Sequence, residues 1–401
     1  MGHVSGRTYL AIPGPSVVPD RVLNAMHRAS PNIYEGEIVA ITHAVVADLK
    51  RLVGTDQHVA IYIANGHGGW EAASSNMFSR GDRALCAATG RFGHGWAEAT
   101  RRMGVEVEVL DFGMSAAADP ERIAAALRAD AAHAIRAVLV THVDTASSAL
   151  SDIAAIRAAI DATGHPALLA VDAIASIGCD ELRMDEWGID VLVGACQKGL
   201  MLPPGLAFVW FSERAMARST VAGLVTPYWD WRPRGTATEF YQFFGGTAPT
   251  AHLHGLREAL GMILEEEGLA QVWRRHEALS RAVWAAFDAW RAGGRDIALN
   301  IAEPGHRGRS VTAARIGNGG AGRLRRWLEA EAGVTLGIGL GMALPGEPAY
   351  GDFLRIGHMG HANAHMVLGV LASMEAGMAA LSIPHGPGAI EAAAAAFARA
   401  T

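Results

Sequence analysis

The chain has 401 residues, 50% of them hydrophobic, and a formal net charge of −6 at pH 7. This length and apolar content predict a large core, arranged as two domains or as one large and one small domain. The negative charge argues against nucleic acid or an anionic membrane as the main partner, and no apolar run reaches the roughly 20 residues that span a bilayer.

The cysteines are few and scattered. Three are present, Cys86, Cys179 and Cys196, and each lies within or beside an apolar run. An odd number in such positions predicts reduced core residues, and their spacing fits no metal site. Residues 1–7 contain no apolar stretch of signal-peptide length. We therefore expect a soluble, cytoplasmic protein without a metal centre.

From about residue 59 to residue 211, short apolar runs alternate with amphipathic stretches. Several runs are nearly continuous in Val, Leu and Ile, which is typical of strands buried on both faces of a sheet. The predicted strands are 59–63, 83–86, 105–110, 137–140, 167–172, 190–193 and 206–211. The helices predicted between them are 70–78, 92–103, 119–132 and 151–163. This alternation predicts an α/β fold with a mostly parallel sheet of about seven strands.

Beyond residue 227 the pattern changes, because segment 229–246 is rich in aromatic residues and glycine and predicts a loop or an intersubunit segment. A smaller α+β region is expected after two long helices. The helices predicted here are 251–267, 271–292, 323–332, 362–380 and 389–399, and the strands are 310–316 and 353–356. We divide the chain into an N-terminal segment (1–20), a large domain (21–265) and a small C-terminal domain (266–401).

Lysine is almost absent from the chain, since Lys50 and Lys198 are the two lysines among 34 basic residues. An arginine keeps its proton, whereas a lysine in apolar surroundings can lose it and become a nucleophilic amine. Lys198 follows the predicted strand 190–193 and is therefore the candidate for covalent chemistry. Chance retention of one lysine in an arginine-rich sequence is the alternative.

The predicted strand 167–172 ends in Asp172, and the next strand ends shortly before Gln197 and Lys198. Ligands of open α/β sheets bind at the carboxyl ends of strands, so we expect these side chains to converge. A lysine and an aspartate placed there suit pyridoxal 5′-phosphate: the lysine binds the cofactor aldehyde covalently, and the carboxylate keeps the pyridine nitrogen protonated. A helix N-cap or a structural hydrogen-bond acceptor is the alternative role for Asp172.

A glycine-rich turn, Asn65-Gly66-His67-Gly68-Gly69, follows the first predicted strand and precedes a helix. Backbone amides at such a helix N-terminus favour a phosphate group. Phe92, in the next predicted helix, either offers a ring face for stacking or packs as a core aromatic residue.

Arg355 lies inside an otherwise apolar predicted strand. A buried arginine requires a partner, and a substrate carboxylate bound by the planar guanidinium is one candidate. A structural salt bridge is the other candidate.

The segment 317–322 has the G-x-G-x-x-G spacing of a dinucleotide-binding turn. No acidic residue closes a following strand about 20 positions further on, and no strand–helix units remain to build a dinucleotide-binding sheet. We therefore predict a surface turn that binds no nucleotide.

Taken together, these motifs resemble class V, fold-type I pyridoxal-phosphate aminotransferases, the alanine–glyoxylate and serine–glyoxylate group. The resemblance extends over nearly the whole chain, and segment 164–202 is most similar to the serine–glyoxylate branch. It is densest in segments 13–15, 65–67, 70–73, 141–142, 171–176, 184–190, 197–199, 203–205 and 355–358.

The resemblance implies a role for each residue at the centre of the site. Lys198 is the cofactor lysine, Asp172 is the partner of the pyridine nitrogen, and Phe92 stacks on the cofactor ring. Arg355 binds the substrate carboxylate, and Gly14 lies in a loop that closes over that carboxylate.

The resemblance also implies contacts to the periphery of the cofactor. Thr145 matches a residue that hydrogen-bonds the ring oxygen. The phosphate contacts come from the amides of Gly66 and His67 and from the side chain of Gln197. Thr247 matches a threonine that reaches the phosphate of the other subunit, so a homodimer with an interfacial active site is implied.

The chain departs from the family pattern at four places. Phe244 replaces a common tyrosine that bonds the partner's phosphate, which predicts weaker phosphate anchoring. Asn65 replaces a common serine, and Ser148 replaces a usual glycine. Ile33 and Tyr34 replace a His-Arg pair that glyoxylate-using relatives often have near the substrate, so the substrate stays open.

We expect a ping-pong aminotransferase that moves an amino group from a small L-amino acid (serine, alanine or aspartate) to glyoxylate or pyruvate. Two alternatives are a pyridoxamine–pyruvate aminotransferase, whose carboxyl-terminal motif resembles segment 355–360, and a pyridoxal-phosphate lyase on the same fold. A desulfurase is disfavoured, because it needs a mobile cysteine and all three cysteines lie in apolar runs before Lys198. A non-enzymatic binding protein would retain Lys198 and Asp172 without a chemical reason.

Overall fold

The computed structural model describes residues 6–400, so the predictions for segments 1–7 and 1–20 fall partly outside the described residues. Residues 6–400 contain the β-strands β1 (Tyr9–Ala11), β2 (His58–Ala64), β3 (Arg83–Ala88), β4 (Glu106–Asp111), β5 (Ile135–Thr141), β6 (Leu168–Asp172), β7 (Val191–Ala195), β8 (Gly205–Phe211), β9 (Ile297–Leu299), β10 (Val311–Ile316), β11 (Val334–Ile338) and β12 (Phe353–Gly357).

The same residues form the α-helices α1 (Asp20–Met26), α2 (Glu37–Val53), α3 (Gly66–Met77), α4 (Arg91–Arg102), α5 (Pro120–Ala129), α6 (Ile153–Thr163), α7 (Glu213–Ser219), α8 (Arg232–Gly235), α9 (Thr250–Gly261), α10 (Leu269–Arg291), α11 (Gly320–Trp327), α12 (Ala364–Ala380) and α13 (Ala389–Ala400). Short 3₁₀ helices span Phe240–Phe243 and Pro304–His306, and π-helical turns span Met262–Glu267 and Leu328–Ala332. Within this range, no helix combines the length and apolar character that a membrane crossing requires.

Seven strands form one sheet in the order β2-β8-β7-β6-β5-β3-β4. The strands from β7 to β4 are parallel to one another, whereas β8 is antiparallel to both β7 and β2. Helices α4, α5 and α6 connect successive parallel strands. The predicted α/β fold with a mostly parallel sheet of seven strands is therefore confirmed.

Alternate residues of the central strands face opposite sides of this sheet. In β5, Val138 and Val140 pack in one hydrophobic cluster together with α6. Ala137 and Leu139 pack in another cluster together with α3 and α4. All four side chains are fully buried. Burial on both faces explains why the strands read as continuous apolar runs in the sequence.

The second sheet has five strands in the order β1-β11-β12-β10-β9. β1 pairs in parallel with β11, and the other neighbours are antiparallel. Helices α10, α12 and α13 cover this sheet with a separate cluster that includes Leu279, Leu371 and Ala393. The strand nearest the N-terminus therefore belongs to the sheet of the C-terminal unit.

The domain division at residue 265 stays a prediction, and the packing of two helices supports it. Leu253 and Leu256 of α9 lie in the core of the large sheet. Leu279 and Val283 of α10 lie in the core of the second sheet. We propose that the chain passes from the large to the small domain at Gly268, where φ is 82°.

The helix predicted at 251–267 is α-helical only as far as Gly261, and a π-helical turn follows. The three glutamates of that turn bind arginines from three different helices, α1, α2 and α10. The pairs are Glu265 with Arg51, Glu266 with Arg21, and Glu267 with Arg275. These ion pairs lie at the wider turn, where the sequence pattern predicted a regular helix.

The structure also shows the conformation of segments 229–246 and 317–322, for which the sequence made specific predictions. The first, predicted as a loop, contains α8 and a 3₁₀ helix. The second forms the turn between β10 and α11. Its Gly319 N–H donates to Asp352 Oδ1 at 2.7 Å, and its Gly322 N–H donates to the Gly351 carbonyl at 2.8 Å. Together with the amides of Gly317 and Gly320, four of its amides are therefore already bonded within the protein.

Candidate active site

The carboxyl ends of the parallel strands border a cavity of about 300 Å³. Every predicted site residue except Thr247 lines this cavity: Gly14, Gly66, His67, Phe92, Thr145, Asp172, Gln197, Lys198 and Arg355. A larger groove of about 840 Å³ lies between the N-terminal segment and α12, and none of these side chains lines it. We therefore place the candidate active site in the smaller cavity, where the reactive groups converge.

Lys198 lies in the turn after β7 and is buried. Its Nζ donates a 2.7 Å hydrogen bond to Thr145 Oγ1 and lies 5.5 Å from the centre of the Phe92 ring. Burial lowers the pKa of this amine to about 8, although the charge of Asp172 opposes the shift. Half of the lysine is therefore the neutral, nucleophilic amine near that pH.

Asp172 is the last residue of β6 and is buried. Its Oδ1 accepts the N–H of Ile174 at 2.8 Å, and its Oδ2 accepts the indole N–H of Trp70 at 3.0 Å. Burial raises the pKa of this carboxyl to about 6, while both hydrogen bonds and the charge of Lys198 act in the opposite direction. Each carboxylate oxygen has a second lone pair, so a protonated nitrogen in the cavity can also bind here.

At two glycines of the site, an added Cβ would require a neighbouring side chain to shift. A Cβ at Gly14 would lie 2.8 Å from Lys198 Cε, and Gly14 has a φ of +102° that disfavours other residues. A Cβ at Gly66 would lie 2.4 Å from Ile174 Cδ1. Glycine at these positions lets the backbone approach Lys198 and the loop after Asp172.

The glycine-rich turn after β2 forms the N-terminus of α3, as predicted. Asn65 is the N-cap, and its Oδ1 accepts the N–H of His67 at 3.0 Å. The His67 amide that we predicted as a phosphate donor is thus bonded to Asn65. Binding a phosphate through this amide requires the Asn65 carboxamide to move.

Phe92 and Gln197 both line the cavity, Phe92 with an aromatic ring and Gln197 with a carboxamide. Phe92 lies in the first turn of α4, and its ring makes an edge contact with Trp70 at 6.3 Å between centroids. It packs as a partly buried aromatic residue and also lines the cavity. The buried Oε1 of Gln197 has no partner among residues 6–400. If this carboxamide rotated by half a turn, its amino group would occupy the position that Oε1 has now.

Arg355 lies in β12 and is buried. Its Nε donates to the Ile338 carbonyl at 2.7 Å, and its Nη1 donates to the Thr145 carbonyl at 2.9 Å. Burial lowers the pKa of the guanidinium to about 10. No ion pair within residues 6–400 includes Arg355, so these carbonyls orient the cation without neutralising it, and an anion in the cavity can.

Thr247 and Phe244 lie away from the cavity of their own chain. Thr247 is exposed. Phe244 is 1% exposed and packs against Phe240 and Phe243. Phe244 is therefore a core residue here, and a contribution of Thr247 to catalysis requires a second subunit.

The structure shows the conformation or exposure of two further residues that depart from the family pattern, Ser148 and Tyr34. Ser148 has a φ of 64°, the left-handed conformation that favours glycine. Its Oγ accepts the N–H of Ala313 at 3.2 Å and thereby joins the turn after β5 to β10. Tyr34 is 88% exposed.

Trp70 was not among the predicted site residues, although it is a partner of Asp172. Trp70 is 1% exposed and begins the predicted helix 70–78, where a large apolar residue is expected to be core. Its indole N–H contacts a carboxylate 102 positions further along the chain. The buried indole needs an acceptor, but nothing in the local sequence identifies which one.

Comparisons with known proteins agree with this geometry. The aminotransferase class-V family model matches residues 8–355. The serine–glyoxylate aminotransferase of Methylorubrum extorquens is 36% identical, over 98% of this chain and 96% of that protein. The L-aspartate–glyoxylate aminotransferase of Paracoccus denitrificans is 37% identical, over 93% and 91% of the two chains. The crystal structure of pyridoxamine–pyruvate aminotransferase from Mesorhizobium loti is 26% identical, with a TM-score of 0.88 over 100% of both chains.

The chain therefore belongs to the class V aminotransferase family, with the fold-type I architecture, and is a transaminase. Enzymes of this family use pyridoxal 5′-phosphate, and the cavity residues fit that cofactor. The amine of Lys198, the carboxylate of Asp172 and the ring of Phe92 match its aldehyde, pyridine nitrogen and aromatic face. The N-terminus of α3 suits its phosphate once the Asn65 carboxamide leaves the His67 amide, and the unpartnered Gln197 oxygen marks a further polar contact that the protein leaves open.

Proposed function

We propose that the enzyme transfers the amino group of a small L-amino acid (serine, alanine or aspartate) to glyoxylate or pyruvate in two half-reactions. The observation on which this depends is the placement of Lys198 Nζ, 2.7 Å from Thr145 Oγ1 and 5.5 Å from the Phe92 ring centre. The named activities of the relatives, serine–glyoxylate and L-aspartate–glyoxylate aminotransferase, support the substrate class.

Lys198 has two roles in this proposal. Bound pyridoxal 5′-phosphate would supply an electron-accepting ring that stabilises negative charge at the substrate Cα. Lys198 would hold that cofactor, and the substrate amine would displace it. The freed Nζ would then take the proton from Cα as a general base and deliver it to the aldehyde carbon of the cofactor as a general acid. A pKa of about 8 in the cofactor-free protein is suited to this task near neutral pH.

Asp172 and Arg355 supply fixed charges of opposite sign. The carboxylate of Asp172, held by Trp70 and Ile174, would keep a proton on the pyridine nitrogen. Arg355, oriented by two backbone carbonyls, would bind the α-carboxylate of both the amino acid and the 2-oxo acid. Because both substrates share that carboxylate, one arginine serves both half-reactions.

We infer that the enzyme is a cytoplasmic homodimer whose cavities are completed across the interface. Thr247 supports the dimer, since its exposed hydroxyl lies away from its own cavity and matches a residue of the family that reaches the partner's phosphate. Cys86, Cys179 and Cys196 are free and buried, which supports a reducing compartment.

The test is a screen of the two half-reactions on purified, cofactor-loaded protein. L-Serine, L-alanine and L-aspartate are each expected to bleach the visible absorbance of the cofactor, with release of the matching 2-oxo acid. Glyoxylate or pyruvate should restore the absorbance. Ammonia release in step with substrate consumption would instead identify a lyase and contradict the proposal.

Pyridoxamine–pyruvate amino transfer is the second candidate, because Phe244 is buried in the core and cannot bond a phosphate. The likeness to the Mesorhizobium loti structure also supports it. Free pyridoxamine and pyruvate are then the substrates to test. Formation of pyridoxal and alanine without added pyridoxal phosphate would favour this candidate over the first.

A further inference from the structure

Asp144 is a buried carboxylate beside the cavity that the proposed reaction does not use. It lies in the turn after β5, is fully buried, and does not itself line the cavity. No ion pair of the described chain, residues 6–400, includes it. A buried carboxylate that is not paired with a cation needs several hydrogen-bond donors. The donors that bind Asp144 therefore show which segments of the chain it holds in place.

One oxygen of Asp144 caps the helix that begins beside the stacking residue. Its Oδ2 accepts the N–H of Phe92 at 2.8 Å and the N–H of Gly93 at 3.1 Å. These amides belong to the first turn of α4, whose N-cap, Gly90, has no side chain to bond them. The carboxylate therefore caps α4 from another segment of the chain, and the positive end of the helix stabilises its charge.

The other oxygen of Asp144 holds the turn in which Thr145 lies. Its Oδ1 accepts the N–H of Ala146 at 2.9 Å. Between these two residues, Thr145 accepts the hydrogen bond from Lys198 on its hydroxyl and the hydrogen bond from Arg355 on its carbonyl. The position of Asp144 thus determines where two residues of the proposed reaction are anchored.

Gly90 shows how closely the carboxylate is packed. A Cβ at Gly90 would lie 2.5 Å from Asp144 Cγ and 2.6 and 2.8 Å from its two oxygens. The φ of Gly90 is 168°, an extended conformation that any residue adopts. Glycine is therefore required at position 90 because a Cβ would clash with the Asp144 carboxylate, and not because of its backbone conformation.

We infer that Asp144 is a positioning residue for the cofactor: through one carboxylate it fixes both the backbone of Phe92 and the turn that contains Thr145. This inference rests on the proposed function. Two substitutions disturb the carboxylate in different ways. Asp144→Asn replaces one acceptor by an amino group, so either the α4 amides or Ala146 lose their acceptor. Gly90→Ala keeps the carboxylate but displaces it.

The experiment measures the dissociation constant of pyridoxal 5′-phosphate by equilibrium dialysis, together with the visible circular dichroism of the bound cofactor. Asp144→Asn and Gly90→Ala are each expected to weaken binding at least about tenfold, because a buried donor loses its acceptor. Both should reduce the dichroic band, which reports the orientation of the ring. The double variant should be little worse than either single one, since both act on one contact.

Asp130→Asn is the control, although Asp130, unlike Asp144, also pairs with Arg83 and His165. Asp130 is also a buried carboxylate that accepts a backbone N–H, that of Ile135 at 2.7 Å. Ile135 begins β5, whereas the turn of Asp144 follows the other end of that strand. The control should lower thermal stability while cofactor affinity and the dichroic band stay at wild-type values.

Hydrogen exchange of the peptide around residues 91–94 in cofactor-free protein gives an independent readout. Asp144→Asn is expected to accelerate exchange there, and Asp130→Asn is not. Unchanged affinity, dichroism and exchange in Asp144→Asn and Gly90→Ala would overturn this inference alone. Wild-type protein that binds no pyridoxal phosphate would overturn the proposed function and this inference with it.

Discussion

The indole N–H of Trp70 donates a 3.0 Å hydrogen bond to Asp172 Oδ2, and both side chains are buried. This bond opposes the rise that burial causes in the pKa of Asp172. Trp70→Phe removes the donor and keeps an aromatic ring, so the pKa should rise further. Because the proposed reaction needs the ionised carboxylate at the pyridine nitrogen, the acidic limb of the pH profile for pyridoxal phosphate binding to cofactor-free protein should move to higher pH by about one pH unit.

Trp96→Phe is the control for this measurement. Trp96 stacks on Trp70 at 6.3 Å and is equally buried, but its indole N–H donates to Ser74. Its pH profile should match that of the wild type. A pH profile of Trp70→Phe that also matches the wild type would show that the indole bond does not influence Asp172.

The lowered pKa of Lys198 predicts how fast the cofactor attaches at each pH. Only the neutral amine attacks an aldehyde, so the attachment rate to cofactor-free protein should rise about tenfold per pH unit and then level off. The plateau should begin near pH 8, because burial lowers the pKa to about 8. Stopped-flow absorbance from pH 6 to about pH 11 measures this, with Nα-acetyl-lysine as the reference amine. A midpoint near the ordinary lysine value of 10.5 would contradict the lowering of the Lys198 pKa by burial.

Gly14→Ala separates backbone strain from a clash with Lys198, the proposed catalytic lysine. Gly14 and Gly36 have similar φ values of +102° and +92°, so alanine should cost each variant about 1–2 kcal/mol in the free energy of unfolding. Only at Gly14 would the new Cβ meet another residue, Lys198 Cε at 2.8 Å, whereas nothing lies within 4 Å at Gly36. Gly14→Ala should therefore also weaken cofactor binding about tenfold or more, and Gly36→Ala should not. Equal cofactor affinity in the two variants would refute the clash.

Arg355→Lys tests the substrate-carboxylate site. A lysine cannot reproduce the planar fork that bonds two carbonyls and a carboxylate at once. The KM for the amino acid and for the 2-oxo acid should both rise, by about 30- to 100-fold, with cofactor affinity unchanged. Arg325→Lys is the control, since Arg325 donates to the carbonyl of Leu336 and does not line the cavity. A rise in KM for only one of the two substrates would contradict a shared carboxylate site.

The large sheet was predictable because its strands are buried on both faces and therefore read as continuous apolar runs. The convergence of Asp172 and Lys198 followed from the rule that carboxyl ends of parallel strands share one edge. Some elements escaped prediction: β1 and β9 have three residues each, too few for a periodic pattern. The longer α2 and β11 were not predicted either. The N-terminal β1 pairs with β11, more than 320 positions away, which no local signal encodes.

The supporting contacts of the site were also beyond local sequence patterns. Asp144 bonds the amide of Phe92 across 52 positions. The Asn65 side chain occupies the His67 amide, a competition that a glycine-rich motif alone does not indicate. Residue types and strand ends thus predicted which groups meet, whereas their hydrogen-bond partners depend on tertiary packing.

The central claim is that Lys198 forms the covalent bond to the cofactor, and the chain allows a clean test because Lys50 is its one other lysine. Protein loaded with pyridoxal phosphate is reduced with borohydride, digested, and mapped by mass spectrometry. We predict a stoichiometric label on the peptide that contains Lys198, none on that of Lys50, and no visible absorbance in Lys198→Ala. A label on Lys50, or no label on either peptide, would contradict the account.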